Sequence, residues 1–233
     1  RIMEDAIGSK ISDYLIKPVK PSQVLLSLKK ILNHKSLISE KTTNNYQKEF
    51  QKISLELMDI NTHEEWAAFY KKLVFWELEL QDLDDSYMME IFENQLKEAN
   101  ALFGKFIERN YKAWLDFPET APILSHRIFK EKIEAKLKEN SPTLLLVIDN
   151  LRWDQWKTIE PTLSKYYQKK EEDMYYSLLP TATQYARNAL FAGLMPNDIR
   201  QQYPQYWKDD TDEGGKNMFE EELLLSQLDR LHI

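Results

Sequence analysis

Apolar residues recur at helical spacing through the middle of the chain. Tyr46, Phe50, Ile53, Leu57 and Ile60 are separated by steps of three or four, as are Trp66, Phe69, Leu73, Trp76, Leu80 and Leu83, and Met88, Phe92, Leu96, Ala99, Phe103 and Phe106. Each series draws one apolar stripe down an α-helix, and such a stripe must be buried against another. Thr62-His63-Glu64-Glu65 carries the start signal of the second helix. There the Thr hydroxyl and the Glu three residues on can satisfy orphan amides reciprocally. The links around Asn61-Thr62 and Asp84-Asp85 are short and turn each helix back on its predecessor, which predicts an antiparallel three-helix bundle. Trp66 and Trp76 lie on the stripe, so they read as core rather than as a platform for stacked bases.

The flanks follow different patterns. Before the bundle come a helix end closed by Gly8, a short strand at 13–16, a Lys17-Pro18 turn and an amphipathic helix over about 21–32, on which Val24, Leu25, Leu28, Ile31 and Leu32 share a face. Pro21 suits the first turn of that helix, where its missing N–H would be unpaired anyway. After the bundle a fourth helix is predicted over about 123–139 with Leu124, Ile128, Ile133 and Leu137. The period changes at Ser141-Pro142. Residues 143–148 are apolar on both faces, as in a central parallel strand, and Asp149 ends the run. A helix over 153–168 interrupted at Pro161, a second strand over 174–178 and a second helix over 183–194 complete an α/β alternation. A final amphipathic helix is predicted over 218–231, behind the loop Asp209-Asp210-Thr211-Asp212-Glu213-Gly214-Gly215, which reads as a solvated acidic loop rather than a calcium loop.

Charge divides the 233 residues in the same way: 1–35 carry +4, 36–141 carry −6 and 142–233 carry −5, for a net −7. The acidic total argues against broad coating of nucleic acid or an anionic membrane. A composition 42% hydrophobic and 12% aromatic excludes a disordered tail. The absence of Cys removes disulfides, thiol nucleophiles and zinc ribbons and points to a reducing compartment, the cytoplasm. The longest aliphatic run is the five residues 144–148, where a membrane helix needs roughly 20, and no basic-then-apolar secretion pattern opens the chain, so no membrane insertion is expected. Arg1 opens within a helical pattern, from which a longer parent polypeptide is expected.

Two places could carry chemistry. A carboxylate at the carboxyl end of a buried parallel strand, as expected for Asp149, stands where open α/β sheets bind ligands; equally, Asp149-Asn150 could be a turn in which Asp caps the next helix. The segment Leu179-Pro180-Thr181-Ala182-Thr183-Gln184-Tyr185-Ala186-Arg187 puts hydroxyls at a helix start, whose amides and dipole suit a phosphoryl group. Thr183 could attack phosphorus if its proton loss were assisted, and Arg187, one turn on, could brace a phosphate. The competing reading makes Thr183 an ordinary N-cap and Arg187 an ordinary surface Arg.

Taken together, LLLVIDNLRWDQW at 144–156 and LPTAT at 179–183, followed by a small-residue helix ending Ala192-Gly193-Leu194-Met195-Pro196, resemble the opening strand and nucleophile segment of the alkaline phosphatase superfamily, best its PglZ branch. The resemblance implies that Asp149 is a zinc ligand and that Thr183 is both the nucleophile and a ligand bridging two zinc ions; Thr181 is the alternative nucleophile, and patterns of the P-T-x-T type favour Thr183. Arg187 is the candidate phosphate contact. Asp13-Tyr14-Leu15-Ile16-Lys17-Pro18 resembles the end of a response-regulator receiver domain. That likeness implies that Lys17 contacts the phosphorylated Asp and Tyr14 changes rotamer on activation, with magnesium in the complete receiver.

The order receiver end, helical bundle, PglZ start resembles the PorX-like response regulators of type IX secretion and gliding in Bacteroidetes. The resemblance implies a multidomain chain: the C-terminal portion of an α/β receiver at 1–35, a helical linker at 36–122 and the N-terminal portion of an α/β PglZ domain at 123–233. It also implies a sensor histidine kinase, a phosphorylation-linked homodimer, a sigma factor or secretion-system component as partner, and zinc-dependent hydrolysis of nucleotide or oligonucleotide phosphodiesters. The departure is in the ligand set. The four histidines, His34, His63, His126 and His232, form no Asp-His pair of the kind such centres use, so the 233 residues alone are expected to be inactive. The alternative is a non-enzymatic scaffold or transcription-related regulator with a degenerate PglZ domain.

Overall fold

The computed structural model describes residues 19, 21–81, 83, 86–139 and 142–233; the receiver-like residues Tyr14 and Lys17 lie outside them. Two compact units divide between Phe103 and Gly104.

The first unit is built from α1 (Pro21–Asp59), α2 (His63–Gln81) and the start of α3 (Ser86–Asp116). The sequence stripes are its core: Tyr46, Ile53 and Leu57 of α1, Trp66, Phe69, Leu73, Trp76 and Leu80 of α2, and Met88, Phe92 and Ala99 of α3 are buried. The Tyr46 ring meets Trp76 at 5.3 Å and Phe92 at 6.1 Å, and Trp66 meets Phe103 at 5.2 Å. The Tyr46–Trp76 and Trp66–Phe103 pairs join positions nearly equidistant from the intervening turn, the register of antiparallel neighbours. The start signal of α2 forms as expected: the Glu65 N–H donates to Thr62 Oγ1 at 3.2 Å, and the Thr62 N–H returns to Glu65 Oε2 at 2.9 Å. One polar group is accommodated in the core. Tyr46 Oη donates to Gln95 Oε1 at 3.1 Å, while Gln95 Nε2 donates to the Phe50 carbonyl and Ser54 Oγ. Burial pushes the Tyr46 hydroxyl up to about 12. The amphipathic helix expected over 21–32 runs on through residue 59 without a break at 35–36, and Val24, Leu25 and Leu28 on its apolar face are exposed.

In the second unit the α/β alternation is not formed among the described residues. Within the buried strand expected over 143–148, Leu144 to Ile148 form no ladder among the described residues and are 40% to 89% exposed. A strand apolar on both faces is stable only between neighbours that hydrogen-bond its edges and cover its faces, and among the described residues no β-ladder forms along Leu144 to Ile148. The expected second strand, 174–178, contributes a single parallel bridge between Tyr176 and Leu124. That bridge also breaks the helix expected over 123–139. Leu124 is extended (φ −99°, ψ 163°), and behind it come a 3₁₀ turn (Ser125–Arg127), a π-helical turn (Phe129–Ile133) and the short α4 (Glu134–Leu137).

Helix α5 (Trp153–Leu163) carries Pro161 in its last turn rather than being interrupted by it. The other helices are α6 (Thr183–Ala192), α7 (Pro196–Gln202) and α8 (Glu220–Leu231), with a 3₁₀ turn at Pro204–Tyr206. Helix α6 packs on α8, α7 and the 125–127 turn through Ala186, Ala189 and Ala192, whose small side chains permit close approach. Leu124, Phe129, Leu178, Ile199 and Leu223 complete this core. Helix α6 ends at Gly193, whose φ of +61° requires glycine at little cost, and its N–H returns to the Ala189 carbonyl at 2.8 Å.

Among the described residues no helix is long and apolar enough to cross a membrane.

Candidate functional site

The segment that leads to Thr183 is held by individual hydrogen bonds where a sheet was expected to hold it. The Tyr176 N–H donates to the Ile123 carbonyl at 2.9 Å, the Leu178 N–H to Ser125 Oγ at 3.0 Å and the Leu179 N–H to Tyr111 Oη at 2.7 Å. Ser125 is 1% exposed, so its hydroxyl is the buried partner that a ladder carbonyl would otherwise be. Trp114 packs edge-on against Tyr176, ring centroids 5.2 Å apart. The Leu179-Pro180 peptide is cis, and the chain then enters α6.

Neither capping alternative survives. The N-cap of α6 is Ala182, with no side-chain cap, and Thr183 is the first helical residue, exposed, its hydroxyl making no hydrogen bond among the described residues. The N-cap of α5 is Arg152, whose N–H donates to Gln155 Oε1 at 3.0 Å; Asp149 is not a cap. Asp149 lies instead in an exposed turn with Asn150, which takes the left-handed φ of 59° that Asn tolerates better than most residues.

Arg187 connects the two segments. Its Nη1 donates to Asp149 Oδ2 at 2.5 Å, and its Nη2 donates to Glu220 Oε2 at 2.8 Å. Its Nε lies 2.6 Å from Glu220 Oε1, close enough for an ion pair but not aligned for a hydrogen bond. The Glu220 carboxylate is itself held by Asn217 Nδ2 at 3.0 Å. Exposure falls along this chain of charges: 63% for the Asp149 side chain, 27% for Arg187 and 19% for Glu220. Glu220, and behind it Asp149, raise the guanidinium above its ordinary pKa. Tyr175 is raised by burial and, second, by the Asp149 charge. Thus Asp149 and Arg187 meet, and Thr183 stands one helical turn before Arg187. Glu220 and Tyr175 were not foreseen. Nothing in the run Glu220-Glu221-Glu222 distinguishes the first carboxylate until α8 is docked on α6.

The loop behind this site is fastened to α6. Gln184 Nε2 donates to the Lys208 carbonyl, Asn188 Nδ2 to the Lys216 carbonyl at 3.0 Å, and Tyr185 Oη to Asp210 at 2.9 Å. Within the acidic loop the Lys216 ammonium donates to the carbonyls of Asp209 (2.5 Å) and Asp212, so a cation from the chain itself organises it.

Residues 36–115 match the PorX response regulator linker domain, and residues 128–230 match the BREX system PglZ alkaline phosphatase-like domain. The two matches, in this order along the chain, agree with the resemblance to PorX-like regulators that carry a PglZ domain. No curated protein matches the chain. Alkaline phosphatase-like domains generally use metal ions. The donors here are one carboxylate, already bound to a guanidinium, and one alcohol; no group of three or more His, Cys, Asp or Glu forms a metal cluster among the described residues. Zinc takes four ligands, so this set does not by itself fit the ion.

Proposed function

We propose that the chain is part of a response regulator whose PglZ portion hydrolyses phosphodiesters of nucleotides or oligonucleotides, with Thr183 as the attacking hydroxyl and Arg187 as the phosphate contact. The observation that carries this reading is the Arg187–Asp149 pair at 2.5 Å, because it joins the two segments singled out from the sequence, one turn from Thr183. An exposed hydroxyl unused by the fold remains available for reaction. The first-turn amides of α6 and the Arg187 fork together offer an anion the donors it prefers. On this reading Asp149 and Thr183 are two of the ligands of a two-zinc centre, the others come from a longer polypeptide, and the 233 residues alone do not turn over substrate.

The organisation proposed with it is a receiver portion at 1–35 bearing Tyr14 and Lys17, a linker at 36–122 and an α/β PglZ portion from 123. The setting is a cytoplasmic two-component pathway controlling type IX secretion, with a histidine kinase upstream, a phosphorylation-linked dimer, and a sigma factor or secretion component as partner.

A scaffold without catalysis is the second reading. Its support is that Asp149 and Glu220 more than neutralise Arg187, so these three residues leave no unpaired positive charge for a substrate to meet. Metal analysis and an aryl phosphodiesterase assay on the longer polypeptide, with Thr183→Ala and Asp149→Ala beside it, separate the two. Hydrolysis is expected to need zinc and to fall by on the order of a thousandfold in Thr183→Ala. Metal-free protein, or hydrolysis indifferent to Thr183, overturns the enzyme.

A further inference from the structure

Glu220 is the carboxylate the sequence did not single out, and its geometry differs from that of Asp149. It faces the Nε–Nη2 side of the Arg187 guanidinium with both oxygens, is 19% exposed and is itself fixed by Asn217. Asp149 takes a single contact at Nη1 from a turn whose side chain is 63% exposed. One partner is thus half-buried, two-pointed and braced, and the other is exposed and single.

We infer that Glu220 is a positioning residue that fixes the direction of the Arg187 fork, and that a phosphoryl ligand docks by displacing the exposed Asp149 carboxylate from Nη1 while the Glu220 contact persists. The second half rests on the reading of Arg187 as the phosphate contact; the first does not. A planar guanidinium has two edges able to receive an oxyanion, and a carboxylate held against Nε and Nη2 leaves the Nη1 end as the one that an incoming anion can reach. Asp149 then acts as an internal occupant of the anion position, so the two carboxylates affect ligand binding with opposite signs. If both were merely structural, removing either would weaken binding.

The test is nuclear magnetic resonance of the full 233-residue chain, reading rotation of the Arg187 guanidinium about its Nε–Cζ bond, with the signal assigned by its loss in Arg187→Lys and the fold of each variant checked by circular dichroism. Glu220→Gln should speed that rotation at least about fivefold, and Glu220→Asp should restore part of the restraint. Titration with inorganic phosphate should shift the Arg187 signals, with affinity at least about threefold weaker in Glu220→Gln and at least about threefold tighter in Asp149→Asn. Rotation indifferent to Glu220 in folded protein overturns the positioning role. Rotation that depends on Glu220, with Arg187 signals unmoved by phosphate in every variant, supports the positioning role and overturns both the displacement and the phosphate-contact reading. Phosphate bound more weakly in Asp149→Asn overturns displacement alone.

Discussion

Replacing Ser125 by Ala tests whether hydrogen bonds from backbone N–H groups to side-chain hydroxyls, in place of a sheet ladder, hold the segment that enters α6. Ser125 is 1% exposed and its Oγ accepts the Leu178 N–H at 3.0 Å, with Leu178 also 1% exposed. Removing the hydroxyl leaves a buried amide with no acceptor and leaves a gap smaller than a water, so solvent does not replace the bond. An orphaned buried donor costs about 1–3 kcal/mol, which corresponds to about a 5- to 150-fold rise in the rate at which the Leu178 amide exchanges through local opening. Amide exchange followed by nuclear magnetic resonance reads this directly. The Tyr176 N–H, bonded to the Ile123 carbonyl at 2.9 Å, should follow more weakly, and amides of the bundle around Ile53 and Phe69 should not change. Ser125→Thr, which keeps the oxygen, should recover most of the protection. Unchanged Leu178 exchange in Ser125→Ala, with the variant folded, would refute the assignment of this segment's stability to the hydroxyl.

Gly193→Ala should destabilise the second unit by about 1–3 kcal/mol in urea unfolding, because a Cβ there stands 2.1 Å from the buried Gln227 amide and the backbone is held at φ +61°; a wild-type midpoint would show that Gln227 moves aside freely. Acid should destabilise the same unit in two stages. Burial, and secondarily the charge of Arg127, hold the His126 pKa below its ordinary 6.5, so the stability it contributes is present above that pH and declines as the pH falls below it. Desolvation pushes Glu172 up, but the Lys157 and Lys169 ammoniums, at 2.8 and 2.7 Å, outweigh it and bring the carboxyl to about 2. Its contribution is therefore complete above about pH 4.5 and lost toward pH 2. Glu172→Gln should remove on the order of 1 kcal/mol at pH 7 and flatten the lower stage; an unaltered acid limb would contradict the ion-pair account.

The helical bundle was legible because its signal is local. A stripe at three- and four-residue spacing, a Thr-x-x-Glu start and short links restrict each helix to one buried face and one direction, and burial of Tyr46, Phe69, Phe92 and their neighbours followed from that pattern. Helix α6 was legible for the same reason, although Gly193 ends it short of the 194 that the pattern suggests. Residues 143–148 show the opposite case: an apolar run states what a segment would bury but does not supply the neighbours that make it a strand, and here it stands exposed.

The candidate site divides along the same line. Asp149, Thr183 and Arg187 could be chosen from residue type and position at predicted element ends. That Arg187 bridges 38 residues back to Asp149 and 33 forward to Glu220 was decided only when α8 packed on α6, because ion pairs between distant segments depend on where helices dock and not on spacing along the chain. The amino-acid order by itself determined which faces are apolar and which residues carry reactive groups. Tertiary packing decided which of those groups meet, since a charge takes its partner from whatever the folded chain brings within reach of it.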